Sequence, residues 1–182
     1  MKPEREIGVV LKRLGLSLAV AESCTGGLIS HRITNVPGSS NYFERGFVVY
    51  SNFSKTELLG VGQRTLERHG AVSKEVARQM ALGARRAAGT DFATGVTGIA
   101  GPVSDESHKP VGLVYVAVCG PDGPVWVRKH HFKGTRLQIK KQSAHAALSL
   151  LLHLLGHWER TKTPGRQRRP QKGDSVGRRQ TG

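Results

Sequence analysis

Acidic residues are scarce in this chain: 13 Asp and Glu stand against 28 Lys and Arg, a formal net charge of +15 at pH 7. Cysteine is nearly absent, and Cys24 and Cys119 share no C-x-x-C spacing, so neither a disulfide framework nor a zinc site is indicated. No apolar run approaches the roughly 18 to 20 residues that span a bilayer. The amino terminus, Met1-Lys2-Pro3-Glu4-Arg5-Glu6, lacks the apolar core of a signal peptide, and the chain reads as cytoplasmic with no membrane partner. There is no internal repeat. The glycine-bearing turn at Gly26-Gly27 lacks the G-x-x-x-x-G-K-[ST] lysine, which disfavours a nucleoside triphosphatase. The histidines suggest no metal: His130 and His131 are adjacent and would face opposite ways on a strand, while His153 and His157 lack a third ligand.

The positive charge is unevenly spread. Residues 157–182 carry eight Lys and Arg against Glu159 and Asp174 and are otherwise rich in Gly, Pro and Gln. Such a segment cannot bury enough apolar surface to offset chain entropy, so it reads as a disordered basic tail following one domain at 1–156. As a nucleic-acid arm it is weak, because Trp158 is its sole aromatic residue and no RNA-binding signature accompanies it.

Within the domain, Ile7, Val10, Leu11 and Leu14 recur at helical spacing before Gly15, predicting a helix over 4–14. A strand follows at 17–22, then a helix from about Gly26 to Thr34 and a Pro37-Gly38 loop. Phe47-Val48-Val49-Tyr50 reads as a strand, with Ser51-Asn52 capping a short helix that carries Lys55. Ser73 and Gly89 bracket a longer helix. Strands are expected at 91–97, 111–118 and about 125–132, the last two forming a hairpin, and a long helix at about 135–155. Gly95, inside a strand, suggests looser packing. Strands interleaved with helices and one hairpin predict an α/β fold: a single-domain three-layer α/β/α sandwich with a mixed sheet.

Several strands run straight into small or polar residues, at Glu22-Ser23, Tyr50-Ser51-Asn52 and Thr97-Gly98. Ligands of α/β folds collect at the carboxyl ends of strands, so parallel pairing would bring Ser23, Tyr50, Lys55 and Thr97 together. A serine needs a base before it attacks, and a lysine serves once burial or a nearby cation lowers its pKa. Cys24, beside the same helix terminus, is a second candidate nucleophile, although its default role is a small buried hydrophobe. Glu22 is equally consistent with a simple acceptor for backbone N–H groups.

Five blocks, Ala21-Glu22-Ser23-Cys24-Thr25-Gly26-Gly27-Leu28, Pro37-Gly38-Ser39-Ser40, Tyr50-Ser51-Asn52, Val96-Thr97-Gly98-Ile99-Ala100-Gly101-Pro102 and Lys109-Pro110-Val111-Gly112, closely resemble the CinA C-terminal domain family, in order over roughly residues 5–155. The resemblance implies a nicotinamide-nucleotide amidohydrolase of the PncC type, an enzyme that hydrolyses nicotinamide mononucleotide to nicotinic acid mononucleotide and ammonia with no cofactor and no metal. It implies Ser23 as nucleophile and Lys55 as base, with Tyr50 and Thr97 assisting proton transfer. It also implies that Glu22, Cys24, Thr25, Gly26, Gly27 and Arg136 form the substrate and oxyanion subsites, Arg136 meeting the phosphate or lowering the Lys55 pKa. A homodimer acting in pyridine-nucleotide salvage is implied as well. The other reading is a noncatalytic nucleotide-binding or competence-associated module with a nucleic-acid-binding tail. Phe53-Ser54 before Lys55, the loop Val103-Ser104-Asp105-Glu106-Ser107-His108, and Lys140 in place of the usual arginine depart from the family pattern.

Overall fold

The computed structural model describes residues 2–104, 109–121 and 123–162. Its elements are α1 (Pro3–Leu14), β1 (Leu18–Glu22), α2 (Leu28–Thr34), β2 (Phe43–Val48), α3 (Asn52–Leu59), α4 (Gln63–His69), α5 (Lys74–Ala88), β3 (Phe92–Gly98), β4 (Leu113–Cys119), β5 (Trp126–His131) and α6 (Arg136–Lys162). The sheet order is β2-β1-β3-β4-β5. β1 pairs parallel with β2 and β3, whereas β4 is antiparallel to both β3 and β5. The sheet is therefore mixed, and the carboxyl ends of β1, β2 and β3 share one edge with the entry to β4 and the exit from β5.

Alternation along the strands separates two cores. Leu18, Val20, Phe92, Val96, Val114, Val116 and Val118 face α1, α2 and α6, meeting Ile7, Leu11, Ile29, Ile33, Ile139 and Leu151. The opposite face offers smaller residues, Ala19, Ala21, Ala93 and Ala117, to α5, whose Val76, Ala77, Met80, Ala81 and Ala84 lie on them; α3 and α4 pack behind α5. The three layers are thus helices, sheet, helices.

Helix boundaries follow the local chemistry. The hydroxyls of Ser51 and Ser73 accept from the N–H groups of Ser54 and Val76, capping α3 and α5. Gly15 and Gly89 end α1 and α5 in the left-handed conformation, at φ 65° in both.

Three expectations shift. β2 begins at Phe43 rather than Phe47 because Glu44-Arg45-Gly46 occupies a solvated edge strand, where polar residues are tolerated. The polar helix α4 buries no residue and so leaves no apolar period to read. Gly95 marks tight rather than loose packing: a Cβ there would lie 2.7 Å from both Ala77 O and Ala81 N, so α5 rests on the strand backbone itself.

The helix α6 continues six residues beyond the expected end of the domain. Trp158 stands edge-on to Phe92 at 5.8 Å, and Glu159 pairs with Arg13 through both carboxylate oxygens, so the first turn past residue 156 has tertiary partners. The remainder of the expected basic tail, 163–182, lies outside the described residues, as do 105–108 of the loop after β3. Among the described residues no helix is long and apolar enough to cross a membrane, and no group of three His, Cys, Asp or Glu could hold a metal ion.

Candidate active site

At the shared carboxyl edge of β1, β2 and β3 lies a cavity of about 270 Å³ lined by Ser23, Cys24, Tyr50, Lys55, Thr97 and Arg136, together with Asn52, Ala71, Val72 and the 98–104 loop. Six of the sequence-predicted site residues thus meet at one place. Parallel pairing accounts for Ser23, Tyr50 and Thr97. The antiparallel β4–β5 hairpin returns the chain to the same edge and delivers Arg136 at the start of α6.

Ser23 leaves β1 with its N–H bonded to Val96 O at 3.0 Å, which ties the end of β1 to β3. Behind it, the fully buried Glu22 carboxylate accepts from Ile29 N at 3.0 Å, from Ser30 N at 2.8 Å and from Ser30 Oγ at 2.8 Å. The acid therefore occupies the first turn of α2, where unpaired N–H groups and the helix dipole favour a negative charge. The first turn of α2 is thus met by a carboxylate from the chain itself. Glu22 does not line the cavity and neither do Thr25, Gly26 or Gly27. Thr25 is fully buried, and Gly26 turns outward toward Lys140 Nζ, which would sit 3.4 Å from a Cβ at that position. The Gly26 N–H is spent on Ser23 O at 3.1 Å.

Lys55 is 1% exposed, one of the largest side chains among the described residues to be so fully buried. Its Nζ donates to Tyr50 O at 3.3 Å and Ser51 O at 3.4 Å. Burial disfavours the ammonium and pulls its pKa from 10.5 down to about 8, with Cys24 the only opposing influence. Burial, and no neighbouring cation, is the cause of that fall. The Cys24 thiol moves the other way, pushed up by burial to about 12, with Glu22 adding to the rise. At neutral pH it is a protonated, poorly nucleophilic thiol within the apolar core.

The Thr97 hydroxyl donates to Ala71 O at 2.8 Å, fixing the wall of the cavity between β3 and the start of α5. The same wall is held by Lys109, whose Nζ donates to His69 O at 2.6 Å and Val72 O at 2.8 Å. Lys109 carried a motif signal in the sequence but no chemistry, since its role depends on carbonyls some 40 residues away. Arg136 donates from Nη1 to Gly101 O at 2.6 Å and from Nη2 to the Tyr50 hydroxyl at 2.7 Å, bridging the loops after β2 and β3 across the cavity. Among the described residues no direct hydrogen bond joins Ser23 Oγ to Lys55 Nζ, whose donors go to Tyr50 O and Ser51 O.

A family model described as the CinA C-terminal domain matches residues 1–155. The nicotinamide-nucleotide amidohydrolase PncC of Enterobacter agglomerans is 50% identical over 147 residues, covering 81% of this chain and 90% of that protein. A CinA-like protein of Syntrophobacter fumaroxidans is 48% identical over 84% of this chain but only 36% of its own length. The chain spans about a third of the longer relatives it matches. Among solved structures, the competence/damage inducible protein CihA from Agrobacterium tumefaciens has a TM-score of 0.81 at 42% identity, over 84% of this chain and 93% of that one.

Proposed function

The chain belongs to the CinA C-terminal domain family, and from this membership and the chemistry of its cavity we propose that it is a hydrolase, an amidase that deamidates nicotinamide mononucleotide through a Ser-Lys pair. The observation that carries the reading is the buried Lys55 amine, with its pKa near 8, in the same cavity as Ser23. A neutral amine has two N–H bonds and one lone pair. The carbonyls of Tyr50 and Ser51 occupy the N–H bonds and leave the lone pair for the serine proton.

In the proposed reaction Ser23 Oγ bonds to the carboxamide carbon while its proton passes to Lys55 Nζ, directly or through one water. The carbonyl electrons move onto oxygen, where the Cys24 N–H is the donor best placed by chain position; a good donor of this kind contributes about 3 to 4 kcal/mol. The electron pair then returns, the C–N bond breaks, and Lys55 gives its proton to the departing ammonia. Water activated by the same amine hydrolyses the acyl-serine and releases nicotinic acid mononucleotide. Arg136, with no carboxylate partner among the described residues, meets the substrate phosphate. The product suits pyridine-nucleotide salvage.

The test is ammonia release from nicotinamide mononucleotide by the full chain, with Ser23→Ala and Cys24→Ala alongside. Release that is lost in the serine variant and kept in the cysteine variant is expected. No release by the unaltered protein overturns the reading, and the reverse pattern of the two variants replaces the serine with the thiol.

A further inference from the structure

Tyr50 has two ends with two different tasks. Its backbone carbonyl accepts from Lys55 Nζ at 3.3 Å, whereas its phenolic oxygen accepts from Arg136 Nη2 at 2.7 Å. Tyr50 as a residue is 60% exposed, in contrast to the 1% of Lys55, and its hydroxyl bonds outward to the guanidinium rather than to the buried amine. A group assisting proton transfer has to reach the base or the reacting atoms, and among the described residues the phenol hydrogen-bonds to neither the Lys55 amine nor the Ser23 hydroxyl. It bonds instead to Arg136, the cation that bridges the loops after β2 and β3.

We infer that Tyr50 is a positioning residue for phosphate recognition, holding the Arg136 guanidinium between its hydroxyl and Gly101 O so that the remaining N–H donors face the substrate's phosphate. The assignment rests on the amidase reading for the identity of that phosphate. It departs from the proton-transfer role implied for Tyr50 by family resemblance.

Three physical points support it. An arginine side chain carries about 2 kcal/mol of rotamer freedom, and two anchors on separate loops remove most of that cost before a ligand arrives. Both anchors are neutral oxygens, so they orient the guanidinium without themselves neutralising its charge. A planar fork fixed at Nη1 and Nη2 still offers its Nε–H and its other Nη hydrogens to a phosphate. Because Tyr50 O also holds Lys55, the residue sets the distance between the base and the phosphate anchor, which suits a ligand of one length.

The experiment compares the unaltered chain, Tyr50→Phe, Arg136→Ala and the double variant on nicotinamide mononucleotide and on nicotinamide riboside, which lacks the phosphate. Tyr50→Phe should lower kcat/KM about tenfold more for the mononucleotide than for the riboside, mostly through KM, as expected for loss of one charge-assisted bond. The double variant should be no worse on the mononucleotide than Arg136→Ala alone. An equal fall in kcat on both compounds, or additive losses in the double variant, overturns the inference in favour of a direct proton-transfer role.

Calorimetric binding of nicotinic acid mononucleotide and of its riboside separates this inference from the amidase reading. If the unaltered chain releases no ammonia, the amidase reading fails. A phosphate-dependent affinity that Tyr50→Phe weakens about tenfold would still uphold the link between Tyr50 and Arg136. Binding indifferent to the phosphate, or to the variant, overturns it.

Discussion

Replacing Lys55 with methionine is expected to abolish turnover and, at neutral pH, to make the fold more stable. The amine is 1% exposed, and burial lowers its pKa from 10.5 to about 8. At pH 7 the folded protein therefore carries a charge that its surroundings disfavour, a penalty of at most about 3 kcal/mol at about 1.4 kcal/mol per pKa unit. Methionine keeps the length of the side chain and removes the charge. It also forfeits the bonds to Tyr50 O and Ser51 O. The Ser51 carbonyl keeps donors in Lys55 N and Ser54 Oγ, so Tyr50 O is the group left short, at a cost of about 1 kcal/mol. The net gain at pH 7 is about 2 kcal/mol, or about 4 to 8 °C in Tm for a chain of this size.

The pH dependence makes the argument testable. Between about pH 8 and pH 10.5 the unfolded chain holds the lysine proton and the folded chain does not, so the stability of the unaltered protein rises with pH across that interval. The advantage of Lys55→Met should be full below about pH 8 and lost before about pH 10.5, where the unpaired Tyr50 carbonyl leaves the variant about 1 kcal/mol the less stable. Urea unfolding of both proteins across that range measures it. A methionine variant less stable at pH 7, or a difference that does not change with pH, would refute the reasoning.

Other outcomes follow from the same geometry. If Lys55 acts as a neutral base, kcat/KM should rise with pH to a plateau above about 8, only about a tenth of the amine being free at pH 7; a flat profile from about pH 6 to 9 would exclude it as the base. Glu22→Gln puts an amide NH₂ where one of two acceptor oxygens met the Ile29 and Ser30 donors, and should cost about 2 kcal/mol in chemical denaturation with a fall in turnover as Ser23 loses its support. An unchanged denaturation midpoint would show that the α2 terminus does not need the charge. Gly95→Ala drives a Cβ to 2.7 Å from two backbone atoms of α5 and should destabilise by about 2 kcal/mol or more; a midpoint equal to that of the unaltered chain would contradict the close approach.

Much of this architecture was legible because its signals are local. Apolar period, serine caps and glycine stops mark α1 and α5, and the interior strands β1 and β4 are buried on both faces and so appear as near-continuous apolar runs. The solvated start of β2 and the polar α4 carry no such period, and both escaped for that reason. The tight seat of α5 at Gly95 escaped too, since the same glycine reads as slack or as closeness until its neighbour across the layer is known.

The site divides in the same way. Local chemistry determined that Ser23 leaves a strand at a polar turn, that Ser51 caps the helix bearing Lys55, and that strand ends carry the polar residues. Only the tertiary structure decided what each group is paired with. Depth within the α/β layers, not a neighbouring cation, lowers the Lys55 pKa; the chain's own Glu22 fills the α2 terminus; and a loop-to-helix bridge turns the Tyr50 hydroxyl toward Arg136, 86 residues away in sequence. Desolvation and hydrogen-bond partnership depend on groups brought together from distant parts of the chain, which is why spacing along the sequence does not report them.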